Sequence, residues 1–232
     1  MLNPSLSFHL WAALLGAGAS ALCASCLCPP CTEAPTGGGQ ATSGESATAA
    51  SGDEVMIWDG ETAGGKAQGW ADCDDKPACK TKLGVASGEG VDGGAAVRFH
   101  GEGSKWIGMG WNWFGWWPKD AGIDISPYDT LRFSIRVVVT DPKHAPDPAG
   151  MTVGLRCSAG PKDSASVTLE KYLKNPGDGK WHEVEMPLAE FYKGKQGQAF
   201  DPKSAWELDL GTWAANPRTF DIYLDNIRVA KK

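Results

Sequence analysis

The first lysine or arginine of this 232-residue chain is Lys66, and before it the only basic side chain is His9. That absence removes both the usual basic start of an export signal and a basic N-terminal arm of the kind that binds nucleic acid. Histidine is scarce as well. His9, His100, His144 and His182 are scattered and form no His-x-His or Ser-His-Asp pattern. Helical periodicity is almost missing, and only Pro187–Phe191 reads as a helical turn, with proline at its start. The balance of 22 basic against 28 acidic residues, net −6, argues against nucleic acid or an anionic membrane as partner. What the chain does have is thirty glycines, fifteen prolines and many short apolar runs, the composition of a loop-rich all-β protein.

Residues 1–26 read as export machinery. Leu10–Leu22 is an apolar run too short to cross a bilayer and fits the core of a signal peptide. Ala19-Ser20-Ala21 suits ordinary signal cleavage. Cys23-Ala24-Ser25-Cys26 resembles a bacterial lipobox, although leucine is usual where Cys23 stands, and Cys26 is then the lipidated residue. The expectation is a lipoprotein at the bacterial surface or in the periplasm, touching membrane only through its anchor, with plain secretion as the alternative. Cys23, Cys26, Cys28 and Cys31 also have a spacing compatible with a metal or iron–sulfur site. Their flanks offer no folded shell to orient such ligands, which disfavours that reading. Residues 27–53 are rich in Gly, Ser, Thr, Ala and Pro and cannot bury enough apolar area to offset their ordering entropy, so they read as a tether.

The folded part is expected over 54–232. Strands are predicted at Val55–Trp58, Lys82–Ser87, Ala95–His100, Trp106–Trp113, Thr130–Val139 and Met151–Cys157, then at Ser166–Leu173, Lys180–Met186, Ala205–Leu210 and Thr219–Val229. Alternation is clean in several: Leu131, Phe133, Ile135 and Val137 share a face opposite Arg132, Ser134 and Arg136. Such a series indicates a jelly-roll β-sandwich. In an exported protein, Cys73 and Cys79 around a polar loop are expected to form a disulfide, and Cys157 a buried thiol.

Five of the eleven tryptophans fall within Trp106–Trp117. On a strand, Ile107, Met109, Trp111 and Trp113 line one face, and Trp106, Gly108, Gly110 and Asn112 the other. The first row reads as core. Trp106 is out of phase with it, and Trp116 and Trp117 lie past the break at Phe114-Gly115, where a loop is expected.

Three segments carry a family resemblance: Asp124–Arg136, Gly179–Phe191 and Thr219–Val229. Their order and spacing resemble galactose-binding-like jelly rolls, in particular family 11 carbohydrate-binding modules and related domains of bacterial surface lipoproteins. The resemblance implies a monomeric, non-catalytic module that binds a β-glucan-like polysaccharide on one sheet face. It also implies a structural Ca2+ held by Asp59, Glu61 and Asp225, since hard oxygen ligands suit that ion. Sugars stack their C–H faces on aromatic rings and match charged side chains with their hydroxyls. The candidate ligand residues are therefore Trp116, Trp117, Arg136, Arg156, Glu207, Asp209 and Tyr223, with Arg136 and Arg156 expected in one sheet. Two other readings stand beside this one. A structural or adhesive surface protein would present a flat, covered face. A glycoside hydrolase would need two carboxylates facing each other across a cleft, and Glu207-Leu-Asp-Leu-Gly211 has glycine where the third carboxylate of a jelly-roll glucanase pattern belongs.

Overall fold

The computed structural model describes residues 53–60, 67–113, 122–157, 166–192, 200–213 and 218–232. Their strands are β1 (Glu54–Trp58), β2 (Gln68–Cys73), β3 (Lys80–Ser87), β4 (Ala95–Gly103), β5 (Ile107–Asn112) and β6 (Thr130–Val139). They continue as β7 (Met151–Cys157), β8 (Val167–Thr168), β9 (Trp181–Pro187), β10 (Ala205–Thr212) and β11 (Arg218–Ala230). One helical turn, α1 (Leu188–Phe191), follows β9 where the sequence predicts it.

Two antiparallel sheets result. Sheet I runs β3-β4-β11-β6-β9, and sheet II runs β2-β5-β10-β7-β8. The thirteen-residue β11 is the spine of sheet I. Its far edge pairs with β6 along nearly its whole length, while β4 covers Arg218–Leu224 and β1 covers Ile227–Ala230 on the near edge. This is the β-sandwich that the strand alternation predicts.

The inward rows behave as the alternation requires. Leu131, Phe133, Ile135 and Val137 are buried, as are Ile107, Met109, Trp111 and Trp113. Trp58 of sheet I meets Trp111 of sheet II edge to face, with ring centroids 5.7 Å apart. Phe99 and Phe220, on the neighbouring strands β4 and β11 of sheet I, form another edge-to-face pair at 5.7 Å. Each large side chain removed from water in this way contributes on the order of 1.5–3 kcal/mol, and the Trp58–Trp111 contact joins the two layers. Cys73 and Cys79 form the expected disulfide, Cα–Cα 6.5 Å, which ties the end of β2 to the start of β3 and so links the sheets at one margin. Cys157 is buried outside any disulfide.

Two elements differ from the sequence prediction. β2 is an added strand; Gln68-Gly-Trp-Ala-Asp-Cys has a single large apolar residue, too little for an alternation signal. The expected strand Ser166–Leu173 shrinks to Val167–Thr168, after which the chain turns in a 3-10 helix at Leu169–Lys171. Leu169 and Leu173 are four apart and both buried, a spacing that a turn can satisfy on one side while the residues between them face elsewhere.

Candidate functional site

The outer face of sheet II is built in rows by strand register. Gln68, Asn112, Glu207 and Arg156 stand abreast; the next row holds Trp70, Gly110, Asp209 and Gly154; the third holds Asp72, Gly108, Gly211 and Thr152. The glycines of β5 leave room for two rings. A Cβ on Gly108 would lie 2.3 Å from the Trp106 ring, and one on Gly110 would lie 2.2 Å from Trp70 Nε1. With no side chain beneath them, the two indoles lie down across the sheet. Their centroids are 6.3 Å apart and their planes 27° from parallel. Both remain partly exposed, a flat aromatic platform on a glycine floor.

Polar groups border the platform. Trp70 Nε1 donates to Glu207 Oε1 at 3.0 Å. The Arg156 guanidinium sits 5.3 Å above the Trp70 ring, and its Nε donates to Asp209 Oδ2 at 2.7 Å while standing 3.3 Å from Glu207 Oε1. Glu207 is 1% exposed, and burial, reinforced by hydrogen bonding to Asp209, pushes its carboxyl up to about 8. Trp70, Trp106, Thr152, Arg156, Ser166 and Asp209 are among the side chains around an open depression. Beyond the third row, Trp213 continues the outward phase of β10: its N–H donates to Gly150 O at 2.7 Å and its ring is 60% exposed.

The sequence places Arg156, Glu207 and Asp209 correctly on one outward face. Arg136 and Tyr223 are elsewhere. They belong to β6 and β11 of sheet I, so the expectation that Arg136 and Arg156 share a sheet is corrected: β6 pairs with β11 and β9, β7 with β10 and β8. Arg136 lies 4.2 Å over the Tyr223 ring and 5.2 Å from the Trp181 ring, and it pairs with Glu89. Tyr223 beneath it is only 8% exposed. That face also carries ion pairs, including Arg98 with Asp221 at 2.9 Å and Arg132 with Glu185 at 3.1 Å. Trp116 and Trp117 lie outside the described residues. Trp70 and Trp106 were not among the sequence candidates. The glycine row of β5 was the available signal for Trp106; for Trp70, alone on an unpredicted strand, there was none.

Asp225 lies at a bulge of β11, where the pairing with β6 shifts before Arg228 and Asn226 takes φ 51°. It is buried, and its carboxylate accepts from Val91 N at 2.8 Å and Asn226 N at 2.7 Å. Burial raises its pKa above the usual range, and the negative charges of Asp59 and Asp92 push it the same way. Glu61 lies outside the described residues. Among the described residues no group of three or more His, Cys, Asp or Glu is gathered closely enough to hold a metal ion.

Against protein-family models, residues 53–231 match Carbohydrate binding domain 30. The chain belongs to that family. As a family 30 carbohydrate-binding module it is a binding domain rather than an enzyme. Solved structures agree in fold. The family 30 module of a cellulosomal cellulase of Clostridium thermocellum superposes with a TM-score of 0.52 at 20% identity, covering 77% of this chain and 98% of that one. A β-1,2-glucanase from Parabacteroides distasonis has a TM-score of 0.51 at 18% identity, over 76% of this chain and 24% of that one. A family 11 module of Clostridium thermocellum also matches, with a TM-score of 0.48 at 13% identity over 77% of this chain and 95% of that one. No relative is found among curated protein sequences. This family 30 module thus carries a platform and a polar border on sheet II, and an ion-paired face on sheet I.

Proposed function

We propose that this module binds a neutral β-glucan-like polysaccharide on the outer face of sheet II. The observation that carries the reading is the Trp70–Trp106 platform, two partly exposed indoles lying flat over glycines beside Arg156 and Asp209. Flat rings take the C–H faces of equatorially substituted sugars, and the guanidinium and carboxylate beside them match adjacent hydroxyls. The net charge of −6 disfavours an acidic chain. The names of the cellulase and the β-1,2-glucanase point to the same class of polymer. Trp213, and Trp116 and Trp117 after β5, extend the set of stacking candidates. A panel of polysaccharides in affinity gels tests the reading: retardation by soluble β-glucans and not by pectin or alginate is expected, and unchanged mobility throughout would refute it.

We also infer a structural Ca2+ at Asp225 with Asp59 and Glu61. Asp225 fits one: a buried carboxylate with acidic neighbours is stabilised by a hard divalent cation. The ion would neutralise that cluster at the bend of β11 and has no part in sugar contact. The leader and tether support display as a surface lipoprotein through Cys26, with the module acting as a monomer.

A further inference from the structure

Glu207 and Asp209 leave β10 on the same side, two residues apart, and Arg156 Nε stands 3.3 Å from Glu207 Oε1 and 2.7 Å from Asp209 Oδ2. A buried carboxyl beside a second carboxylate is favoured in its neutral form, which can donate to that neighbour. Asp209 uses Oδ2 for Arg156, and its Oδ1 is buried with no N–H or O–H of the described residues directed to it. Glu207 Oε1 already takes the Trp70 indole and faces Arg156 Nε. The other side chains abreast of Glu207 are Asn112 on β5 and Gln68 on β2, both uncharged, so among the described residues Arg156 on β7 is the cation and Asp209 the anion that face it.

We propose that Glu207 is carried as the neutral acid at physiological pH, donating its proton to Asp209 Oδ1, and that this shared proton positions Asp209, Arg156 and Trp70 as one binding face. The unsatisfied oxygen is then satisfied, and the pair carries one negative charge opposite one guanidinium. Burial and the neighbouring Asp209 act in the direction this geometry demands. Glu207 is a positioning residue: at 1% exposure it acts through Trp70 and Asp209 rather than on the sugar. The consequence for ligand rests on the glycan reading of this face; the shared proton itself does not.

The test begins without ligand. In protein labelled with 13C at glutamate carboxyls, the resonance missing from Glu207→Gln should titrate near pH 8, while exposed glutamates titrate in the usual range of about 4–5. The Trp70 Nε1–H resonance should move with the same midpoint and stay still in Glu207→Gln. A Glu207 carboxyl titrating in the ordinary range, or a Trp70 signal indifferent to it, overturns the proposal. Asp209→Asn supplies a second variant, in which the Glu207 midpoint should fall. The ligand arm measures affinity for a soluble β-1,3/1,4-glucan from about pH 6 to 10. It should drop by up to about tenfold per pH unit above the ionisation in wild type and stay level in Glu207→Gln. A parallel drop in both overturns the positioning role. Absence of glucan binding at every pH, with the carboxyl titrating near 8, would sink the glycan reading and leave the shared proton standing.

Discussion

Trp70 and Glu207, separated by 137 positions in the chain, meet through an indole N–H donated to a carboxyl oxygen at 3.0 Å on the outer face of sheet II. That bond fixes the tilt of the ring, and the absence of a side chain at Gly110 lets the ring reach it. Platform and polar border are therefore one structure. Perturbing either end should be felt at the other.

Trp70→Ala and Trp106→Ala should each weaken glucan binding by about 2 kcal/mol, roughly thirtyfold in Kd, as for other aromatic anchors. Calorimetric titration measures this. Trp111→Ala is the contrast: its ring is 3% exposed and packed on Trp58, so it should cost about 3–5 kcal/mol of stability. Equal destabilisation by Trp106→Ala and Trp111→Ala would mean that the platform belongs to the core.

Gly110→Ala should abolish most binding with the sandwich still folded. Its Cβ would sit 2.2 Å from Trp70 Nε1 and 2.5 Å from Glu207 Oε1, so the indole must lift off the sheet. Wild-type affinity in this variant, with a normal circular dichroism spectrum, would show that the ring need not lie flat.

Stability should depend on pH through Glu207 in a definite sense. Its folded carboxyl, at about 8, lies above its ordinary value of 4.5. The unfolded chain therefore gives up this proton first, so the contribution is complete below about 4.5 and is lost as pH rises to about 8. Each unit of separation is worth about 1.4 kcal/mol, which makes the loss a few kcal/mol at most. Melting temperatures from about pH 4 to 9 should show wild type losing stability relative to Glu207→Gln across that window; parallel curves would contradict it.

Calcium should raise the melting temperature and EDTA lower it, with the response gone in Asp225→Asn. The variant removes the charge but keeps an acceptor for only one of the two N–H groups, since Val91 donates to Oδ2 and Asn226 to Oδ1, so its own melting temperature should also be lower and the readout is the calcium response. Differential scanning fluorimetry in calcium and in EDTA decides this, and an unshifted wild-type curve would count against the ion.

Alternation by itself determined which face of each strand turns inward. The pleat has period two, so Leu131 to Val137 and Ile107 to Trp113 could be assigned to the core from spacing alone. It also put Arg156, Glu207 and Asp209 outward. Pairing is another matter, because period two says nothing about which strands are neighbours. Arg136 and Arg156 look equivalent along the chain, yet tertiary structure sends β6 to sheet I and β7 to sheet II. Burial on an outward face was equally hidden. Glu207 is outward by phase but is covered by Trp70, which arrives from a distant strand with no alternation of its own. The tryptophan-rich stretch was legible as core through Trp111 and Trp113. That its out-of-phase member, Trp106, makes a platform with Trp70 was decided only where two strands met over glycines, because a flat ring needs both a partner and empty space beneath it.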